Sequence, residues 1–285
     1  MPNRIAIAEP DYPGCLLDLE DPPAAVHVAG VLPPLERAVA IVGTRRVDVA
    51  GTRFARELAS ELARAGCTIV SGGALGIDTA AHEGALDVGG ATIAVLPSRV
   101  DAPYPPRNHA LFAQIAGTGA LLAEEGELDP RYASTFLSRN RLIAALAPLT
   151  IVVQAPVRSG ALSTAAHARK LGRVVMAVPF APWEVRGEGC LGLLASGARM
   201  CRSSADVLAS IAVEPLPAPP RPRVPRVRDE DEAAVLERLG AAPTTVDTLC
   251  DQTQLSAPRV QRAILMLLLA GELAEPAAGR YVRVR

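Results

Sequence analysis

Short apolar runs alternate with segments of helical periodicity over most of the chain. Between Ala38 and about Ile211 the runs are AVAIVG, CTIVSG, TIAVLP, GALLAE, LTIVVQA and RVVMAVP, separated by helical patterns such as residues 52–65 and 160–171. Because these runs are apolar throughout, they predict parallel strands that helices cover on both faces. The pattern therefore predicts an α/β fold with a doubly wound, mainly parallel, Rossmann-like sheet.

A different pattern follows this region. Residues 215–225 contain six prolines, which predicts a semi-rigid polyproline linker. From Asp229 onward, three helical segments precede a hairpin-like end, as in a small winged helix-turn-helix domain. The expected segments are an amino-terminal extension (1–34), a Rossmann-like domain (35–214), a Pro/Arg-rich linker (215–228) and a winged-helix domain (229–285).

The amino-acid composition is typical of a globular protein and argues against a membrane-spanning or secreted one. The 285 residues are 49% hydrophobic, enough for a sizeable core, yet no apolar run reaches membrane-spanning length and the first residues lack signal-peptide features. The five cysteines are scattered and form no C-x-x-C pair, which indicates a reduced, cytoplasmic protein without a zinc site. The net charge of −1 does not by itself indicate nucleic-acid binding.

The basic residues are almost all arginine, since Lys170 is the only lysine. Any anion site in this chain must therefore be built from guanidinium groups and backbone amides.

Three loops follow predicted strands and are rich in glycine, in residues with hydroxyl side chains, or in arginine. In an open parallel sheet, ligands bind outside the carboxyl ends of the strands. Glycine lets the backbone approach a phosphate, and the start of a following helix can bind it. We therefore predict a phosphate-binding edge formed by Gly43, Thr44, Arg45 and Arg46, by Ser71, Gly72, Gly73 and Gly76, and by Arg158, Ser159, Gly160 and Ser163.

A fourth candidate lies in the segment STFLSRNRLIAALAP. Arg139, Asn140 and Arg141 are expected at the start of a helix, whose positive dipole end disfavours arginine. That placement indicates that the arginines face an anion.

Asp78 and His82 lie one helical turn apart, so an acid–base pair, a metal site and a structural role are all open. Two ligands without a third do not make a metal site, and Asp78 is expected to cap its helix or orient the glycine loop. No G-x-x-x-x-G-K-[ST] sequence is present, which excludes a P-loop nucleotidase. We expect no catalytic residue, metal or cofactor.

Six segments in order, VAIVGTR, SGGALGIDTAAHEGAL, TIAVLP, FLSRNRLIAAL, SGALSTAAHA and GRVVMAVP, resemble the DNA-processing protein A family (DprA, also called Smf). The resemblance covers roughly residues 35–210. It implies an extended Rossmann fold, sequence-independent binding of single-stranded DNA and homodimerisation. It further implies protection of incoming DNA and loading of the RecA recombinase in natural transformation. The family's DNA-binding residues fall on the loops named above, with Asp78 structural.

The chain departs from the family pattern at several positions. Leu75 stands where an arginine is usual, Gln154-Ala155 replaces the end of the usual V-E-A strand, and Phe180 and Leu191 replace a glycine and an asparagine. About 35 residues precede the first predicted strand, so we expect the family's helical amino-terminal domain to be absent or truncated.

Two other functions remain open. A phosphoribohydrolase-like enzyme would need a P-G-G-x-G-T loop followed by a glutamate, whereas this chain has RSGALST. A transcription regulator would act through the winged helix.

Overall fold

The computed structural model describes residues 2–126, 132–213, 229–240, 243–269, 272–277 and 279–283. The chain folds into two compact units, residues 1–220 and residues 221–285. The predicted linker, residues 215–228, lies outside the described residues. Among the helices that are described, none combines the length and apolar character that a membrane crossing requires.

The first unit is built on a nine-stranded sheet, and the expectation of a mainly parallel, doubly wound fold is confirmed. The strand order is β1-β2-β6-β5-β4-β3-β7-β8-β9, with β3 to β9 parallel and β1 and β2 antiparallel. The strands are β1 (Asn3–Ala6), β2 (Ala25–Gly30), β3 (Ala38–Val42), β4 (Thr68–Ser71), β5 (Thr92–Val95), β6 (Ala120–Glu124), β7 (Leu149–Val152), β8 (Val174–Ala177) and β9 (Arg199–Met200).

Helices cover both faces of this sheet. One face packs against α1, α2, α3 and α7, and the other against α4, α5 and α6. The helices are α1 (Val49–Arg64), α2 (Ile77–Leu86), α3 (His109–Thr118), α4 (Ala133–Leu146), α5 (Gly160–Lys170), α6 (Glu188–Ala195) and α7 (Ser204–Val213). The sequence of strand β3 is apolar throughout because its residues point alternately into the two core layers on opposite faces of the sheet. All five are buried.

The amino-terminal segment is more than an extension. Strands β1 and β2 form an antiparallel pair that joins the edge of the sheet through β2 and β6. The buried Ile5, Leu16 and Val26 contribute to the same core as β3. No strand is predicted here from the sequence, because these residues lack the long apolar runs of the central strands.

The second unit has the elements of a winged helix-turn-helix. Its helices α8, α9 and α10 enclose a small core with Val235, Leu249 and Leu267 at its centre. A three-stranded sheet completes it in the order β10-β12-β11. The elements are α8 (Glu230–Arg238), β10 (Thr244–Thr245), α9 (Val246–Thr253), α10 (Ala257–Leu269), β11 (Leu273–Ala277) and β12 (Arg280–Arg283).

Candidate nucleic-acid interface

A cleft of about 610 Å³ lies at the carboxyl ends of β3 and β7, where the order of the strands reverses. This is the position at which doubly wound sheets bind ligands. Loops after β3, β4 and β7 meet there with one face of α4. Its lining includes Gly43, Thr44, Arg45, Arg46, Ala74, Asp78, Tyr104, Phe136, Arg139, Asn140, Arg158, Ser159 and Gly160.

The glycine loop between β4 and α2 is closed tightly against the neighbouring loop. Gly76 has φ +90°, and a Cβ atom there would lie 2.4 Å from the Thr44 carbonyl oxygen. Gly72 is enclosed as closely, because a Cβ would lie 2.7 Å from the Asp78 carboxylate and 2.8 Å from the Arg139 guanidinium. Glycine is required at both positions by the approach of these neighbours.

Asp78 and Arg139 meet around Gly72. The Asp78 carboxylate accepts from the amides of Gly72 (3.1 Å) and Ala74 (3.4 Å). The Arg139 guanidinium donates to the Gly72 carbonyl (2.6 Å) and to the Val95 carbonyl. Asp78 therefore orients the glycine loop, one of the two roles expected for it, and Arg139 binds the carbonyl of the same residue, Gly72, in the next peptide unit.

The two charges are buried together, with Asp78 6% and Arg139 6% exposed. Burial raises the pKa of Asp78, and the Arg139 charge and two backbone amides act against this rise. Burial lowers the pKa of Arg139 to about 10, and the charge of Asp78 opposes that shift. Each group thus limits the cost of burying the other.

The predicted position of Arg139, Asn140 and Arg141 at the start of a helix is wrong. Helix α4 begins at Ala133, so these residues lie in its middle, away from the positive dipole end. Arg141 pairs with Glu124 at 2.5 Å and is not among the residues lining the cleft. The amide of Asn140 donates to the Gly160 carbonyl at 3.1 Å, linking α4 to the start of α5.

His82 does not pair with Asp78, although both lie on α2. Its Nδ1 lies 2.8 Å from the Thr92 hydroxyl, which itself donates to the Ile69 carbonyl. The hydroxyl therefore accepts from His82, which fixes the Nδ1–H tautomer. Burial lowers the pKa of His82 to about 3, so the ring is neutral. Among the residues that the structure describes, no group of three His, Cys, Asp or Glu side chains is placed to hold a metal ion.

The charge that the cleft exposes comes from three arginines, Arg45, Arg46 and Arg158. None of them forms an ion pair with an acidic side chain of the described residues. The Arg45 guanidinium lies over the ring of Phe136, 4.5 Å from its centroid. Tyr104 meets the same ring edge-on, with centroids 6.0 Å apart.

Phe136 and Tyr104 are site residues that the sequence reasoning missed. The chain has nine aromatic residues in all, and from the sequence this small number predicts that base stacking contributes little. Both residues lie beside motifs noted in the sequence: Phe136 is three residues before Arg139, and Tyr104 is in the loop after TIAVLP. Their position next to these motifs is the feature of the sequence that indicates a place in the site.

Of the remaining residues predicted to bind phosphate, some line the cleft and others lie behind it in the surrounding structure. Ser159 and Gly160 line the cleft, and the Ser159 hydroxyl accepts from the Ala161 amide at 3.3 Å as the cap of α5. Ser71 is fully buried and donates to the Ile41 carbonyl at 2.6 Å. Gly73 packs against the buried Phe112 ring. Ser163 lies within α5 and is not among the lining residues.

Comparison with known proteins places the chain in a family. Residues 3–212 match the family described as DNA recombination-mediator protein A, and residues 214–279 match the DprA winged helix domain. The chain is 40% identical to Protein Smf of Synechocystis over 75% of its own length and 55% of that protein. It is 41% identical to the putative DNA processing protein DprA of Mycobacterium tuberculosis over 86% of its own length and 64% of that protein. It thus spans less than two thirds of either relative.

Solved structures agree with this assignment. The X-ray structure of DNA processing protein A from Streptococcus pneumoniae matches with a TM-score of 0.69 at 36% identity, covering 73% of this chain and 74% of that one. A structure of DNA processing protein A from Helicobacter pylori, reported for its single-stranded DNA binding mode, matches with a TM-score of 0.64 at 34% identity, covering 72% and 94%. The chain belongs to the DprA family of DNA recombination-mediator proteins.

Proposed function

We propose that this chain binds single-stranded DNA in the cleft, without sequence preference. The observation that carries the proposal is the charge of the cleft, where three exposed arginines have no acidic partner in the described structure while the one acid of the lining, Asp78, is buried beside Arg139. The H. pylori relative, a single-stranded DNA-binding protein of the same fold, supports it. The family is one of DNA-processing binding proteins, which agrees with the expectation that the chain is not an enzyme.

The geometry favours contact with phosphates over reading of bases. The amino end of α5 and the three arginines offer donors to phosphate oxygens, which carry no sequence information. The amide side chains nearest the cleft are already used, because Asn140 donates to the Gly160 carbonyl and Gln154 to Asp48. The rings of Phe136 and Tyr104 offer stacking surfaces, which accept any base.

Replacing Arg45 or Arg158 by alanine tests this proposal. Each change should weaken binding of any single-stranded oligonucleotide about tenfold at low salt, because a charge-assisted hydrogen bond is lost. The slope of log affinity against log salt should fall by about 0.7 for each phosphate contact removed. Fluorescence anisotropy over a salt series, with matched single- and double-stranded DNA, measures both quantities.

Arg53→Ala is the matched control, because Arg53 is an exposed arginine that pairs with Glu57 on α1 at 2.8 Å. It should leave the affinity and the slope unchanged. Wild-type binding that is insensitive to salt, or equal losses in all three variants, would contradict a phosphate-binding cleft.

We also propose the roles that accompany this activity in the family, namely homodimerisation, protection of incoming DNA and loading of RecA in natural transformation. Their support is family membership and the arginine-lined cleft. Sedimentation would measure the assembly state, nuclease digestion the protection, and RecA filament formation on coated single strands the loading.

A phosphoribohydrolase-like activity would require a glutamate after the loop that leads into α5, and this chain has none there. The loop that would carry a phosphoribohydrolase site leads into α5 through Arg158 and Ser159, and the first turn of α5 contains no acidic residue. An AMP-hydrolysis assay checks this directly.

The winged helix should contribute little to DNA affinity. On α10, Arg259 binds Asp231 through two bonds of 2.9 and 2.5 Å, and Arg262 binds Asp229 at 2.8 Å. The sequence of α10 offers three polar side chains as candidate DNA contacts, Arg259, Gln261 and Arg262. Both arginines are thus paired with acidic residues at the start of α8, in a domain with six basic and nine acidic residues. Duplex DNA is strongly anionic, so a net charge of −3 opposes binding.

A chain ending near Glu214 should therefore keep most of its single-strand affinity in an anisotropy titration. Circular dichroism would confirm that the shortened chain is folded. Complete loss of binding by a folded protein would place the principal site in the second unit, and specific duplex footprints from the full chain would support the regulator alternative.

A further inference from the structure

The exposed aromatic side chains in the described part of the chain all lie at one edge of the sheet. Within the described residues, three aromatic side chains are exposed: Tyr104 (37%), Tyr132 (61%) and Trp183 (83%). Tyr104 follows β5, Tyr132 follows β6 and Trp183 follows β8, each in the loop beyond the carboxyl end of a parallel strand. This is the edge that carries the cleft.

Trp183 lies on the other side of the cleft from the two tyrosines. The strand order β6-β5-β4-β3-β7-β8 puts β5 and β6 on one side of the switch point and β8 on the other. Four interstrand spacings separate β5 from β8, or about 19 Å. Single-strand-binding folds contact several nucleotides, about 4–16 per site, so a strand that crosses the cleft can extend over this span.

Hydrogen bonds connect the loop of Trp183 to the cleft. Arg186 Nη1 donates to Asp48 at 2.9 Å, and Asp48 also accepts from the Gln154 side chain at 2.9 Å. The Gln154 carbonyl accepts from the Thr44 amide at 2.7 Å. The loop after β8 is thereby held against the loops that line the cleft.

The charges of this loop do not favour an ionic contact with DNA. Glu184 and Glu188 flank Arg186, whose guanidinium is paired with Asp48 and lies 3.9 Å from Glu184. The exposed indole of Trp183 therefore offers its ring face, rather than a charge, to a ligand. Unpaired bases suit that face, and stacking on an aromatic ring depends little on which base is present.

We propose that Trp183 stacks on a base of the bound single strand and forms the β8 end of a DNA track that begins at Tyr104 and crosses the arginine-lined cleft. Trp183 has this role only if the cleft binds single-stranded DNA as proposed, and the test separates the two statements. Because stacking releases no counterions, the contact adds affinity without adding salt dependence.

The chain contains a single tryptophan, so tryptophan emission, excited selectively over that of the four tyrosines, reports on this position alone. Titration with an oligothymidine of about 16 nucleotides should change the emission and protect the indole from iodide quenching, whereas one of about 4 nucleotides should do so weakly. Trp183→Ala should weaken binding of the longer strand about fivefold or more with an unchanged salt slope. Trp183→Phe should restore most of the affinity.

Val31→Ala is the control, since Val31 is an exposed apolar residue (79%) that follows β2 at the opposite edge. It should leave affinity unchanged. Saturable binding by anisotropy without any change in tryptophan emission would overturn the role of Trp183 and leave the cleft proposal intact, while absence of binding by anisotropy would overturn both. Emission that changes with protein concentration alone, without DNA, would instead assign Trp183 to a contact between copies of the chain.

Discussion

Replacing Arg139 by alanine is expected to lower the free energy of unfolding by about 3–5 kcal/mol, because it leaves the buried carboxylate of Asp78 without its neighbouring positive charge. The change also removes the donor to the Gly72 and Val95 carbonyls. Thermal or urea unfolding would measure the loss. DNA binding should fall as a consequence of disorder in the glycine loop.

The sequence alone predicts a different result, in which Arg139→Ala weakens binding as Arg45→Ala does and Asp78→Asn leaves affinity nearly unchanged as long as the loop stays folded. In the structure, Asp78→Asn removes the charge that offsets the burial of Arg139. We therefore expect it to destabilise the protein as well.

Arg202→Ala is the matched control, because Arg202 pairs with Asp206 at the surface and such pairs contribute about 0–1 kcal/mol. The double change Asp78→Asn with Arg139→Met should cost less than the two single changes added together, since neither buried charge is then left alone. A folded Arg139→Ala protein with normal unfolding and greatly reduced affinity would show that Arg139 contacts DNA directly.

Gly76→Ala is expected to have the second largest effect. Its φ of +90° and ψ of −126° strain the backbone of any other residue by about 1–3 kcal/mol. The added Cβ would also lie 2.4 Å from the Thr44 carbonyl oxygen and 2.9 Å from the Arg45 Cα. Backbone atoms cannot rotate away as a side-chain end can, so the loops after β3 and β4 must separate. We expect DNA affinity to fall about tenfold or more as Arg45 is displaced.

Gly172→Ala provides the comparison for backbone strain alone. Gly172 lies in the turn before β8 with φ +67°, and no atom of the described residues lies within 4 Å of the position that a Cβ would take. That variant should be destabilised by about 1 kcal/mol and bind DNA normally. Equal affinity in the Gly76 and Gly172 variants would mean that the junction of the two loops does not position the DNA-binding arginines.

Much of the first unit follows from local sequence. The runs that form β3 to β8 are recognisable because a strand buried on both faces is apolar at most positions and does not alternate with charged residues. The loops of the cleft are recognisable by their glycines, because Gly76 has a positive φ and lies against the backbone of the neighbouring loop, while Gly72 lies against the side chains of Asp78 and Arg139. The apolar runs and the glycines each specify structure within a few residues of their own position, so they can be read from local sequence.

Contacts between distant residues decided the rest. Arg45 and Arg139 look equivalent in sequence, yet Arg45 is exposed at the end of β3 while Arg139 is buried against Gly72, 67 residues away. Arg259 resembles a DNA contact until Asp231, 28 residues earlier, is seen to bind it. The exposed aromatic side chains of Tyr104, Tyr132 and Trp183 share one edge of the sheet only because parallel strands end side by side. Sequence periodicity specifies which apolar residues are buried, but the packing of helices on the sheet determines which charged residues are buried and which partners they meet.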